Sequence, residues 1–145
     1  MTPREPAPRP CESCPYRRDV PSGVWAPEEY AKLLLYDLET SHQPIGLFMC
    51  HQGNERVCGG WAACHGAQAA EDRRHELLSL RMAGHLFGIP WKTMVKIRNY
   101  VSPVPLFSSG REAAKHGLKD LENPSDEAIG LQWKIEDNLD RRKDR

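Results

Sequence analysis

Apolar residues recur at helical spacing in several stretches of the chain, and these stretches predict its helices. The first helix is predicted to begin near Pro27, with Leu34 and Leu38 facing the core. The second is predicted over residues 71–87. Its inner stripe consists of Leu77, Leu78, Leu86 and either Met82 or the pair Leu80 and Ala83.

Three further helices are predicted in the second half of the chain. One spans residues 91–100, because Pro90 suits the start of a helix. A short one follows Ser109, since Ser109 and Glu112 form the Ser-x-x-Glu pattern of a capping box. The last starts at residues 123–124. Its core face consists of Ile129, Ile135, Leu139 and either Trp133 or Gln132.

A continuous apolar run at residues 45–50 differs from these helical patterns and predicts a short buried strand that ends at Cys50. Gly53 and Asn54 give a turn signal, and residues 57–58 are the predicted return strand of a β-hairpin. Because successive side chains of a strand point to opposite faces, we do not expect Cys50 and His51 to bind the same ion.

The composition is typical of one soluble domain. The chain has 145 residues, of which 28% are charged, and no apolar run approaches the roughly 20 residues that cross a bilayer. Residues 1–10 contain four prolines and no signal-peptide pattern. We therefore predict a flexible tail over 1–10, a single domain over 11–145, and a cytoplasmic protein without a membrane partner.

The five cysteines carry the strongest chemical signal in the sequence. Cytoplasmic thiols stay reduced, so clustered cysteines there more often bind metal than form disulfides. Cys11 and Cys14 form a Cys-x2-Cys knuckle, which brings two thiolates to one centre. With Cys50 and Cys58 they predict a four-thiolate site for Zn2+ or, as an alternative, for a [4Fe–4S] cluster.

Cys64 is the thiol left over from this set. It lies six residues after Cys58, about 240° around a helix, and therefore does not share a face with Cys58. We interpret Cys64 as a buried thiol beside the site. If the ligand set differs from four cysteines alone, the predicted substitutes are Cys64, His51 and His65.

Two other interpretations of the cysteines are weaker. Small cysteines also fill cores, but a Cys-x2-Cys pair is uncommon by chance. A thioredoxin-like redox pair at Cys11 and Cys14 would need a strand before it and a helix after it, whereas prolines precede it and Pro15 follows it. The six histidines form no catalytic motif, so the sequence gives no support for an enzyme.

The residues around the cysteines resemble a family of uncharacterised proteins from actinobacteria and actinobacteriophages. The family pattern is C-x2-C-P-[W/Y]-R-x-D…P-x-G, then F-x-C-H, then C-[A/G]-G-[F/W], and the chain matches it at 11–23, 48–51 and 58–61. The resemblance implies a metal set of Cys11, Cys14, Cys50 and Cys58, and no established activity. A looser likeness to WhiB-like iron–sulfur regulators supports the cluster alternative by analogy only.

These patterns together predict a helix-rich α+β fold. Its metal-bound N-terminal half, residues 11–66, would contain the knuckle, a helix and the short β-hairpin. A helical half, residues 67–145, would follow. We therefore predict a small metal-binding protein whose structural zinc site supports a protein- or nucleic-acid-binding module, with an iron–sulfur redox or sensor protein as the alternative.

One basic segment stands out although the net charge is zero. Residues 77–111 contain no Asp or Glu. Cations interleaved with aromatic rings suit single-stranded nucleic acid, and an acidic host or phage protein would use the same surface. A solvated helix face that pairs with the acidic flanking segments is the simpler interpretation. The predicted binding face consists of Arg81, Trp91, Lys92, Lys96, Arg98 and Tyr100.

Overall fold

The computed structural model describes residues 2–66 and 76–143. In this part of the chain there are six α-helices and one short 3-10 helix, Thr40–His42. The α-helices are α1 Pro27–Leu35, α2 Gly59–His65, α3 Leu78–Leu86, α4 Trp91–Arg98, α5 Gly110–Leu118 and α6 Asp126–Lys143. The part of the second predicted helix over residues 71–75 lies outside the described residues.

The predicted β-hairpin is reduced to one isolated bridge, between Met49 and Val57. Hydrogen bonds from Cys50 N to Arg56 O (2.8 Å) and from Cys58 N to Phe48 O (2.9 Å) flank this bridge. The pairing stops there because α2 begins at Gly59. Among the described residues the structure therefore has no sheet, and the α+β prediction is corrected to a mostly helical fold.

The proline-rich segment that we predicted as a flexible tail is hydrogen-bonded to the rest of the domain. Arg4 N donates to Glu55 O (2.8 Å), and Val57 N donates to Arg4 O (2.9 Å), as in a parallel strand pair. Arg56 Nη1 also donates to Glu5 O (3.0 Å). The segment is thus extended, as its prolines favour, and lies against the loop between Cys50 and Cys58.

Helix α1 packs on α5 through Tyr30 and Leu33, which are buried. The prediction that Leu34 and Leu38 face the core is wrong, since these side chains are 42% and 43% exposed. The reason is that α5 presents small residues to α1: Gly117 lies against the Tyr30 ring and Gly110 against the Leu33 carbonyl. That close approach fixes the rotation of α1, and α1 ends before residue 38.

Helices α3 and α4 also contact each other. Of the two alternatives predicted for the middle of the α3 stripe, the structure contains the pair Leu80 and Ala83, while Met82 is exposed. Leu86, which both alternatives included, is exposed as well. The buried side of α3 consists of Ser79, Leu80 and Ala83, with Leu77 buried directly before it.

Helix α6 covers a second, smaller cluster of Val20, Val24 and Ala128, against which Ile135 packs. Trp133 and Leu139 do not contribute to the predicted core face, since both are exposed. Near its end, α6 reaches the loop after Cys50: Asn138 Nδ2 donates to Gln52 Oε1 (3.3 Å) and Arg142 Nη2 to His51 O (2.6 Å). No helix in the described residues is long and apolar enough to span a membrane.

Candidate thiol site

The five cysteines all lie among the described residues, and none of them forms a disulfide. Four of them form two neighbouring pairs, of which one is buried in the core and one is partly exposed. Cys14 Sγ lies 3.8 Å from Cys58 Sγ, and both residues are buried. The Cys11 thiol interacts with those of Cys14 and Cys50, so that the second pair adjoins the first. The structure thereby places these two pairs of cysteines near each other.

The turn that carries Cys11 and Cys14 is held by the residues that follow it. Cys14 N donates to Cys11 O (3.0 Å), which closes the knuckle. The Arg17 guanidinium donates to Pro10 O (3.0 Å) and is held in turn by both carboxylate oxygens of Asp19 (2.8 and 2.7 Å). Trp25 Nε1 donates to Ser13 O (2.8 Å) from the other side. These bonds fix the backbone between the two thiols.

Helix α2 supplies the other side of the site. Cys58 is its N-cap, and Trp61 N donates to Cys58 Sγ (3.5 Å). Gly60 lies so close to the knuckle that a Cβ at this position would be 2.5 Å from Cys14 Sγ and 2.8 Å from Tyr16 Cβ. Glycine is therefore required where α2 passes the knuckle, because a larger side chain would push the two elements apart.

The thiols shift one another's proton affinity. Hydrogen bonds donated by Cys14 and Cys50 to the Cys11 sulfur hold the pKa of Cys11 far below its usual range. The same bond, a second one with Cys58 and burial raise the pKa of Cys14. The bond to Cys11, followed by burial, raises the pKa of Cys50. The largest cause of each of these pKa shifts is another thiol, so the titration of each of these three cysteines depends on its neighbours.

The three predicted substitute ligands have other surroundings. The His51 ring lies 4.2 Å from the Trp25 ring and its Nε2 lies 3.1 Å from Glu29 Oε2. His65 Nε2 lies 3.4 Å from the Tyr16 hydroxyl, and burial lowers the pKa of His65 to about 4. Cys64 is buried within α2. Across residues 2–66 and 76–143, no group of three or more His, Cys, Asp or Glu is arranged to hold a metal ion.

The predicted binding face lies mainly on α3 and α4. Trp91 is 73% exposed, and Arg81, Lys92 and Lys96 are exposed as well. Lys96 Nζ lies 3.3 Å from Glu5 Oε1. Tyr100 does not share the exposed face: its hydroxyl donates to Pro8 O (3.3 Å), and its ring lies against Gly59, next to Cys58. Arg98 is partly buried.

The residues that build this site lie within one stretch of the chain that matches a known sequence profile. The profile of a family of unknown function, DUF6283, matches residues 6–135, which include all five cysteines. The chain belongs to DUF6283. The membership of a family of unknown function that the cysteine pattern predicted is thus confirmed. No curated protein and no solved structure matches the chain.

In this DUF6283 chain, sequence reasoning missed how the knuckle is supported. Arg17 and Asp19 were noted as part of a motif, but not as a clamp on the backbone before Cys11. The Arg-x-Asp spacing directly after the knuckle is the local signal that could have indicated it. The closeness of Gly60 to Cys14 depends on tertiary packing, and no local sequence pattern indicates it.

Proposed function

We propose that this chain is a small metal-binding protein in which Cys11, Cys14, Cys50 and Cys58 hold one structural Zn2+. The observation that carries the proposal is the distance of 3.8 Å between Cys14 Sγ and Cys58 Sγ. A tetrahedron with zinc–sulfur bonds of about 2.3 Å has sulfur–sulfur edges of about 3.8 Å. The buried pair therefore has the spacing of two ligands on one ion.

The remaining two thiols, Cys11 and Cys50, neighbour the buried pair. Cys11 interacts with Cys14 and with Cys50, so each of the four sulfurs has another of them as a neighbour. Rotation of the partly exposed Cys11 and Cys50 side chains toward the buried pair is the adjustment that a four-thiolate site requires. When bound, Zn2+ would cross-link the knuckle, the loop before Cys58 and the start of α2, and would contribute on the order of 10 kcal/mol to folding.

The alternative is a [4Fe–4S] cluster bound by the same four thiolates. The burial of Cys14 and Cys58 and the hydrogen bond from Trp61 N to Cys58 Sγ favour it, because such surroundings tune the potential of iron–sulfur centres. In a cubane, however, each thiolate binds a different iron, which holds the sulfurs farther apart than on a single ion. The short Cys14–Cys58 distance therefore favours zinc.

Metal analysis and an absorption spectrum of protein purified without oxygen test the two forms of the proposal. We expect about one zinc per chain and no visible absorbance. About four irons and four sulfides per chain, with a brown colour and absorbance near 400 nm, would show that the site holds the cluster and not zinc. Folded protein with all five thiols titratable and no metal, even after incubation with Zn2+, would refute the four-thiolate site.

The clamp on the knuckle gives a second test of the site. An Arg17→Met variant keeps the aliphatic stem but loses the bonds to Pro10 O and Asp19. Groups that orient metal ligands contribute roughly 10- to 100-fold to metal affinity. We therefore expect the zinc affinity of Arg17→Met, measured by competition with a chelator, to be lower by that factor. Arg18→Met is the matched control, because the Arg18 guanidinium donates to Leu106 O instead. Equal zinc affinity in both variants would contradict the role of the clamp.

A further inference from the structure

Helix α4 buries one side and leaves a mixed aromatic and basic side exposed. Met94 and Ile97 are its buried residues. With about 100° between successive residues, the opposite side carries two parallel ridges, Trp91 with Val95 and Lys92 with Lys96. We name these four residues the α4 face. All four are exposed, and Trp91 is 73% exposed.

We propose that the α4 face binds single-stranded nucleic acid, with the Trp91 ring stacking on a base and Lys92 and Lys96 contacting phosphates. The two ridges run side by side along a helix of eight residues, about 12 Å long, so bases and backbone can be contacted by adjacent rows. An exposed ring beside cations is the combination that binds single strands without sequence preference.

The charges around the α4 face support an anionic partner. No carboxylate occurs in the sequence from 77 to 111. Among the described residues, two carboxylates from outside this segment form ion pairs with its basic side chains: Glu5 lies 3.3 Å from Lys96, and Glu76 lies 3.7 Å from Arg81. Both pairs are largely exposed and therefore worth at most about 1 kcal/mol, so phosphate can replace them.

The thiol site adjoins the segment that follows the C-terminal end of α4. The Tyr100 ring, two residues after α4, packs on Gly59 beside Cys58, and its hydroxyl bonds to Pro8 O. The inference thus rests on the proposed function in one respect: the metal site keeps these segments in place against α4. The exposed ridges themselves contain no residue of the thiol site.

Fluorescence anisotropy with labelled oligo(dT) and oligo(rU) of about 12 nucleotides tests the inference. Wild-type protein should bind both, with affinity that falls as salt rises. Trp91→Ala should weaken binding roughly 5- to 100-fold, the range expected for loss of one stacked base. The matched control is Trp133→Ala, since Trp133 is 69% exposed on α6 and should leave binding unchanged.

Charge reversal tests the phosphate contacts. The double variant Lys92→Glu/Lys96→Glu should abolish measurable binding. Lys92→Gln/Lys96→Gln should reduce the slope of log affinity against log salt by roughly 1.4. Lys115→Glu/Lys119→Glu, which reverses two exposed lysines at the same spacing on α5 and its C-cap, is the control that should keep binding. Glu5→Gln should raise the affinity a few-fold because it removes the carboxylate beside Lys96.

Several results would overturn the inference. The first is absence of oligonucleotide binding at low salt. The second is an equal loss of binding in the α4 and α5 charge-reversal variants. The third is displacement of the labelled oligonucleotide by polyglutamate as effectively as by unlabelled oligonucleotide, since polyglutamate has charge but no bases to stack. Preferential binding to vesicles of anionic lipid would assign the α4 face to a membrane instead. Zinc content is measured on each sample: zinc-loaded protein that does not bind refutes this inference alone, whereas metal-free folded protein that binds refutes only the metal site.

Discussion

A Cys50→Ser variant is expected to purify without zinc and to lose cooperative folding of the segments around the thiol site. Cys50 is only partly buried, so the serine itself costs little in packing. The loss of one ligand removes a contribution on the order of 10 kcal/mol, which is comparable to the whole stability of a small domain. Zinc content and thermal unfolding followed by circular dichroism measure both effects.

Cys64→Ala is the matched control for this substitution. Cys64 is buried in α2 but lies outside the proposed ligand set. We expect Cys64→Ala to retain about one zinc per chain and to lower the melting temperature only moderately. A Cys50→Ser protein with full zinc content and unchanged melting would show that Cys50 is not a ligand, and zinc loss in Cys64→Ala instead would move the site to Cys64.

A Gly60→Ala variant is expected to be destabilised by roughly 2–3 kcal/mol and to bind zinc more weakly. The added methyl group would lie 2.5 Å from Cys14 Sγ and 2.8 Å from Tyr16 Cβ, and both of these residues are buried. Helix α2 must then move away from the knuckle, with the strain typical of overpacked cores. Urea unfolding and zinc competition with a chelator measure the two consequences.

Gly84→Ala and Gly130→Ala are controls for the same chemical change. Both glycines lie inside helices, and a Cβ at either position would have no neighbour within 4 Å. Since alanine is the better helix former, we expect these variants to gain up to about 1 kcal/mol. A Gly60→Ala protein as stable as these controls, with unchanged zinc affinity, would contradict the close contact between α2 and the knuckle.

Helices were predictable from the sequence where local signals specify them. Pro27 and Ser109 mark helix starts through chemistry that acts within one turn, and α1 and α5 begin at or next to these residues. The absence of a strand at 45–50 was not predictable, because a short apolar run has no periodicity that distinguishes a strand from a loop. The inner face of α1 also escaped prediction, since the small residues Gly110 and Gly117 of α5 decide which side of α1 packs.

For the thiol site, sequence identified the residues but not their support. The Cys-x2-Cys spacing is local, so the Cys11–Cys14 turn follows from the sequence itself. The approach of Cys58 to Cys14 depends on how α2 packs, and the bond from Trp25 to Ser13 joins residues twelve positions apart. No periodic pattern encodes such contacts, which arise only when the chain has folded.

The loop that follows Cys50 is hydrogen-bonded both to Arg4 and to Arg142. Contacts so far apart in sequence form late in folding, because closing a long stretch of chain costs entropy before the contact repays it. During synthesis, this loop therefore cannot reach its final shape until residue 142 has left the ribosome. The four thiols all precede residue 142, so they leave the ribosome before the loop between Cys50 and Cys58 can be completed.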